Sequence, residues 1–540
     1  MTNVGGIRED VHNVHFSRGS ARGIPTTSPN TASQTTDWTP VTDAPSTASI
    51  PIAQTDSTPD HRSRNRLVIN LMLVATFVVF LNETIVGVAV PRVMEDLRIE
   101  ASTAQWLSTA FMLTMAIVIP TTGFLMQRLS TRTVFILAMS LFSLGTAIAA
   151  IAPGFEVLLV GRVVQASGTA IMMPLLMTTV MTLVPPHERG KTMGNISIVM
   201  SVAPAVGPAV GGLIVQALDW RFIFILVLPI ALFALVLGGL RVKNVTEKTN
   251  VPLDVLSVIL SAFAFGGLVY GLSSIGESIA GNVPVMPWIP LTVGGLALVA
   301  FIARQLVLQG RDVAFLDLRT FRSRGFSVAV IMMVIMMGAL FGTVFLLPIY
   351  TQQVLGLEPA ASGLLLVPGS LLMGLAGPFI GRLYDRVGPR PLILPGSILV
   401  SLVLWGMAMF TEFTPWTFVL VAHILLSVGL AFMFTPLFTS SMAALNPKLY
   451  SHGSATIATV QQLAGAAGTA LFIALYTIGT VTATQNGATE VGALANGVHT
   501  AFMAGAVISV LAIVAAFFVP KPVEFDHAGE AARVDAGAGH

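Results

Sequence analysis

The sequence predicts an all-α membrane protein of 14 transmembrane helices, arranged as two pseudo-symmetric six-helix bundles with a helix pair inserted between them. Three observations predict it. Only 10% of the residues are charged and 54% are hydrophobic, with a mean hydropathy of +0.82, whereas a water-soluble domain carries about 25% charged residues. Apolar runs of roughly 18 to 25 residues, the length that crosses about 30 Å of hydrocarbon, recur from Leu67 almost to the C-terminus. A stretch of the first half reappears in the second.

Residues 1–61 are rich in Ser, Thr, Pro, Asn and Asp and lack an amphipathic period, so a disordered cytoplasmic tail is expected there. Its scattered histidines and aspartates suit solvated spacers better than metal ligands. No apolar leader with a small-residue cleavage site stands before the first span, which is therefore expected to direct its own insertion. The apolar runs begin near Leu67, Thr103, Thr133, Glu156, Gly194, Arg221, Asp254, Pro287, Gly325, Ala360, Pro391, Pro415, Ser454 and Val498. Helices are the expected form, because an open strand edge in lipid leaves backbone donors and acceptors unpaired. The expected organisation is a tail (1–61), a six-helix bundle (62–243), an inserted pair (244–310), a second bundle (311–520) and a short cytoplasmic tail (521–540).

Basic residues fix the expected orientation. Arg62, Arg64 and Arg66 precede the first helix, Arg128 and Arg132 follow the second, Arg189 and Lys191 the fourth, and Arg241, Lys243 and Lys248 the sixth. The same side receives Arg304, Arg311, Arg319, Arg322 and Arg324, then Arg382, Arg386 and Arg390, then Lys448 and Lys521. The opposite loops hold only Arg92, Arg98 and Arg221. By the positive-inside rule both termini are cytoplasmic, which needs an even number of spans. Twelve also satisfies that parity, so the count of 14 rests on the pair between Asp254 and Arg304.

The duplication is legible within the chain. Gly123-Phe-Leu-Met-Gln-Arg-Leu-Ser-Thr-Arg132 follows the second helix and Gly381-Arg-Leu-Tyr-Asp-Arg-Val-Gly-Pro-Arg390 the tenth. Met173-Pro174-Leu175 and Thr435-Pro436-Leu437 repeat at nearly the same offset. Parallel repeats of this kind place a binding site at the midplane between halves that open alternately to each side. Net charge is only +2 and the basic clusters are short, so nucleic acid is not an expected ligand. Cysteine is absent, which excludes disulfides, thiolate metal sites and cysteine nucleophiles. Gly190-Lys191-Thr192 imitates the end of a phosphate-binding loop, but Pro185 stands where the first glycine belongs, so ATP is not the expected energy source.

The loop pair, above all Gly381 to Arg390, resembles the signature cytoplasmic loop of the major facilitator superfamily. Leu81 to Pro91, Gly161 to Ala170 and Ala203 to Gly212 resemble motifs of its 14-helix drug:proton antiporter branch, and the last marks exporters in that superfamily. The resemblance covers Arg62 to Pro520. It implies a multi-pass plasma-membrane protein that functions as a monomer without cofactor or metal, and it implies exchange of protons for amphipathic or cationic small molecules.

An ionisable residue at bilayer depth is a functional hypothesis by default. Glu83 is the leading candidate for proton coupling, since a carboxylate in an apolar setting binds and releases protons near neutrality. The family pattern has its acid at the position of Asn82, so Glu83 is turned by about 100° around the helix. A glutamate reaching the interface from a helix end is the other reading. Arg162 stays charged; the resemblance gives it the proton path, with Gln165 on the same face, and a structural arginine is the alternative. His423 either titrates or packs as a hydrogen-bonded core residue. Pro204, Gly207, Pro208, Gly211 and Gly212 suggest a kinked, closely packed gate helix. In the loops, Asp385, Arg386 and Arg390, with Gly388, are expected to engage neighbouring helix ends in one conformation only. The first copy has Gln127 and Ser130 in place of Asp and Gly and is expected to rely on Arg128 and Arg132. Met332, Met336, Met337, Phe341, Phe345 and Tyr350 are candidates for an adaptable cavity wall, or else are lipid-facing or core. A dedicated exporter of one metabolite, peptide or lipid-like product is the alternative function. A membrane-embedded enzyme or sensor needs a catalytic set or soluble domain that the sequence lacks.

Overall fold

The computed structural model describes residues 59–99, 101–242, 244, 254–279 and 285–520, and all regular structure among them is helical. Both expected tails lie almost wholly outside the described residues. Six helices form the first bundle: α1 (Pro59–Leu97), α2 (Ala101–Arg128), α3 (Thr131–Ala150), α4 (Phe155–Leu183), α5 (Arg189–Ala217) and α6 (Phe222–Arg241). The inserted pair is α7, which runs as Val255–Ser261, a π-turn Ala262–Gly266 and Gly267–Ile279, and α8 (Trp288–Gln309). The second bundle comprises α9 (Arg324–Ile349, extended by a π-turn to Val354), α10 (Pro359–Val387), α11 (Arg390–Ala408), α12 (Trp416–Ala443), α13 (Tyr450–Gln485) and α14 (Glu490–Ala516). Thirteen of these rods are long and apolar enough to cross a membrane. The other, α5, is a 29-residue helix between α1 and α10.

Several helices begin earlier than the apolar runs. α5 starts at Arg189 rather than near Gly194, α13 at Tyr450 rather than Ser454, and α14 at Glu490 rather than Val498. Their first turns are polar or glycine-containing, so they carry helix but no hydropathy signal. α14 starts where the Thr489 side chain accepts from the Gly492 amide, an N-cap that an apolar window overlooks.

The inserted pair is present as two packed helices, which brings the long helices among the described residues to 14. Gly267 and Gly294 let α7 and α8 cross closely, and Arg304 on α8 clasps Asp254 at the start of α7 through two hydrogen bonds of 2.6 and 2.7 Å. Trp106 of α2 stacks on Tyr270 of α7. Phe265, Phe301, Phe315, Ala116 of α2 and Ala455 of α13 share one apolar cluster, so the pair lies across a seam between the two bundles.

Among the described residues the bundles meet closely near the end that carries most of the arginines, called here the basic end. The main helix pairs in that contact are α5 with α10 and α2 with α13, and α4 with α13 and α5 with α12 add to it. Gly190 and Gly194 of α5 lie directly on Gly381 and Gly377 of α10, and a methyl on Gly381 would sit 2.0 Å from the Gly190 carbonyl oxygen. Small residues allow this approach where lipid offers no hydrophobic drive. The α5–α10 contacts continue to Gly374 against Ser201 and Val202, whereas Gly212 and Gly363 further along face open space. At the far end α1, α3 and α6 are tied within the first bundle. There Asp96 accepts from Arg221 at 2.9 Å and from the Trp220 indole at 3.0 Å, and Arg221 also donates to Ala152 O.

Candidate transport site and gate

The intramembrane charges of the first bundle converge. Arg162 on α4 donates to Gln165 Oε1 at 2.7 Å, one turn along the same helix. Gln165 passes the chain on to Thr146 of α3 at 2.8 Å, and Thr146 donates to Phe142 O. The guanidinium lies 4.0 Å from the centre of the Phe111 ring on α2, within cation–π range. Arg162 is thus fixed by α2, α3 and α4, and among the described residues it makes no hydrogen bond to a backbone carbonyl. Gly145 and Gly161 bring α3 and α4 together beside it, leaving no room for a methyl group at either position.

On α1, Asn82 is fully buried, and among the described residues neither its amide oxygen nor its nitrogen has a partner; one carboxylate oxygen of Glu83 is equally unpartnered there. The Arg162 charge reaches Glu83 without forming an ion pair. A buried polar atom left unsatisfied costs about 1–3 kcal/mol. Two adjacent residues of this kind, beside an arginine with an unpartnered Nε, make a polar patch able to receive a proton or a polar ligand group. Asn82 and Glu83 are thus both buried polar residues of one turn of α1 despite the rotation between them.

The small-residue run of α5 packs on the next turn of α1. Thr84 Oγ1 donates to Leu81 O at 3.0 Å and faces Ala203 O at 3.4 Å. A methyl on Gly207 would sit 2.0 Å from Thr84 Oγ1, and one on Gly211 would sit 2.9 Å from Ile85 Cγ2. Gly212 points elsewhere, into open space. α5 runs as one helix through this segment; the side chains of Pro204 and Pro208 lie outside the described residues.

At the basic end the two loop copies act by different chemistry. Asp385 of α10 reaches across to the first turn of α5, where its two oxygens accept from the amides of Gly190 and Lys191 at 2.8 and 2.9 Å. The segment that mimics a phosphate loop thus holds a carboxylate on its helix N-terminus, where free amides and the helix dipole favour an anion. Gly388, with φ of 77°, ends α10 in the left-handed region that only glycine enters without strain. Arg390 donates to Val519 O and Phe517 O at the end of α14. Arg386 is exposed. In the first copy Ser130 caps α3 through the Thr133 amide instead.

Among the described residues the first-copy arginines make no ion pair to the second bundle. Arg132 is exposed, and Arg128 lies over Phe124 of its own helix. Gln127 does the crossing, hydrogen-bonding His452 of α13, while Gly123 lies against Ser451, His452 and Ala455. Two hydroxyl pairs complete the seal, Ser197 with Thr435 at 2.7 Å and Thr178 with Ser454 at 2.8 Å. Neither His452 nor these pairs stands out in the sequence. The one available signal was the duplication, which puts the start of α13 where α5 begins.

Other candidates sit elsewhere. His423 uses Nε2 on Leu366 O of α10 at 3.1 Å, within the second bundle, and its Nδ1 is unpartnered. Tyr350 stacks on Phe410 and donates to Thr411 O at 2.7 Å, which makes it a packing residue at the far end. Phe345 is 49% exposed on the outer surface; Met332, Met336 and Met337 are buried, and Phe341 is partly buried against Gly465 of α13.

The sequence matches the profile of the Major Facilitator Superfamily over residues 72–469. It is 38% identical over 457 residues to the uncharacterized MFS-type transporter YcnB of Bacillus subtilis, covering 84% of this chain and 95% of that protein. It is 36% identical over 462 residues to the lincomycin resistance protein LmrB of the same organism, with 84% and 96% covered. A multidrug resistance protein B homolog of Mycobacterium tuberculosis is 30% identical over 410 residues, with 75% of each chain covered. Among solved structures, the human organic anion transporter MFSD10 has the same fold, with a TM-score of 0.59 at 15% identity over 84% of this chain and 99% of that one. Two six-helix bundles with an inserted helix pair, a glycine-lined interface and these matches agree: the chain belongs to the major facilitator superfamily of transporters.

Proposed function

We propose that this transporter is a proton-coupled exporter of amphipathic or cationic small molecules, working by alternating access in the plasma membrane as a monomer. The observation that carries the reading is the patch on α1, where the Glu83 carboxylate lies inside the first bundle with an unpartnered oxygen, beside buried Asn82 and under the charge of Arg162. Proton binding at Glu83 removes the negative charge that Arg162 balances and that holds a cationic substrate. Arriving protons therefore release substrate, and departing protons readmit it. The positive-inside rule puts the basic end and both termini in the cytoplasm, so the described conformation faces outward. We place the bundle boundaries at residues 62–243 and 311–520, with 244–310 as the inserted segment. The names of the relatives support a drug substrate, and the name lincomycin resistance also supports a narrower exporter. Transport into inverted vesicles under an imposed pH gradient, across a panel of dyes and drugs, separates the two. Broad, gradient-dependent accumulation supports the multidrug reading; accumulation of one compound supports the dedicated one; accumulation that ignores the gradient sinks proton coupling.

A further inference from the structure

His452 is 3% exposed, and two other elements, the connector and α2, meet on its ring. Nδ1 accepts from the backbone amide of Asp317 at 3.2 Å. Nε2 is hydrogen-bonded to the Gln127 side chain of α2, and a methyl on Gly123 of α2 would sit 3.6 Å from ring Nδ1 and 3.3 Å from Ala455 Cβ one turn on. With Nδ1 occupied as an acceptor, a neutral ring carries its hydrogen on Nε2; the Gln127 amide nitrogen faces that atom, and a half-turn of the amide presents its oxygen to the hydrogen. Both ring nitrogens are then satisfied, and only in the neutral state. A proton added at Nδ1 would face the Asp317 N–H, donor against donor.

Asp317 belongs to the segment that joins the inserted pair to α9, and this connector is anchored from both sides. Gln305 of α8 accepts from the amides of Phe315 and Leu316 at 2.9 and 3.1 Å and donates to Ser257 of α7. The Asp317 side chain is held by Arg319 at 2.6 Å, which also pairs with Asp312 at 2.7 Å. Burial opposes ionisation of Asp317, but the hydrogen bonds from Arg319 outweigh it and keep the carboxyl below its ordinary value; the same partners raise Arg319. The charges that reach the His452 ring are thus Asp317 and Arg319, of opposite sign. From α2 it faces the neutral Gln127, with Arg128 turned onto Phe124. A positively charged ring draws the Asp317 carboxylate away from Arg319 and breaks the amide contact, which loosens α2, α13 and the connector together.

We propose that His452 is a second proton-binding site of the transport cycle, set in the seal at the basic end, and that proton binding there is incompatible with the closed arrangement of α2, α13 and the 310–323 connector. The proposal rests on the proton-coupled reading above but uses a different residue and a different step. The chain has no cysteine, so Arg132→Cys and Lys448→Cys, both exposed and on opposite sides of the seal, give a spin-label pair without background. Pulsed electron–electron distance measurements on purified protein between pH 8 and pH 5 are expected to show a longer-distance population. Its ratio to the closed population should grow by up to about tenfold per pH unit, as one proton allows. In His452→Asn, which keeps an acceptor for the Asp317 amide, and in His452→Gln, the short distance at pH 8 should persist and the acid-induced population should vanish. No acid-induced population in the parent overturns the proposal whatever the variants do. An unchanged acid response in either variant that keeps the short distance at pH 8 overturns it as well. In Glu83→Gln the acid response should persist while gradient-driven transport is lost, so failure of the Glu83 reading appears only in the transport assay.

Discussion

At the scale of single residues, two carboxylates stand in opposite settings. Glu83 sits where it has no hydrogen-bond partner for one oxygen, a poor arrangement for stability and a suitable one for a group that changes charge. Glu83→Gln should insert and fold as the parent does while gradient-driven accumulation in vesicles falls to the level without a gradient; undiminished accumulation would remove Glu83 from the mechanism. Asp385 is the reverse case, with both oxygens bonded to amides across the interface. Each such bond to a charged group is worth about 1.5–3 kcal/mol at most, less here because the residue is half-exposed. Asp385→Ala should therefore shift the balance between sealed and open states by roughly tenfold, about 1.4 kcal/mol. The rate at which Ser197→Cys is labelled from the basic end reports it, and an unchanged rate contradicts the role.

At the scale of elements, the seal depends on backbone reaching backbone. A side chain on Gly194 would begin 2.2 Å from the Gly377 carbonyl oxygen, a clash that rotamers cannot relieve. Gly194→Val should leave each bundle intact and hold α5 away from α10, so that substrate still binds from the basic end but transport stops. Retained transport would show that the close contact is dispensable. The α7–α8 pair has its own clasp. The hydrogen bond from Arg304 is the main reason that the Asp254 carboxyl is lowered to about 2, ahead of the smaller help from Ser257. Because the folded value lies below the ordinary one, the stabilisation is complete above about pH 4 and fades as pH falls from 4 towards 2. Thermal unfolding of Asp254→Asn should lack that acid-side loss, and a parallel pH dependence in the variant and the parent would argue against it.

At the scale of the whole molecule, two sequence-related bundles close on each other through unlike contacts. One seam is an aspartate on a helix terminus, and the other is a glutamine on a histidine backed by the inserted pair. A symmetric ancestor is still visible in Gly123 and Gly381, but the second seam engages α7, α8 and their connector, and the first does not. Fourteen crossings require both termini on one face. Tags at the two ends of the chain should show equal protease access in sealed right-side-out vesicles, and opposite access would collapse the layout.

Sequence alone determined the membrane class, the even helix count, the basic end and the duplication, because hydropathy, charge and repeat spacing are properties of one chain segment at a time. It also singled out Glu83, Arg162 and Asp385, since a charge among apolar neighbours is conspicuous in any order of residues. Tertiary structure alone decided what each one meets: Arg162 on Phe111 and Gln165, Asp385 on the amides of α5, Tyr350 away from the pathway. His452, Thr178 and Ser454 acquire meaning only there. A buried histidine or hydroxyl carries no signal until helices some 280 residues apart in sequence place a partner against it, and that placement is set by packing between bundles rather than by any local pattern.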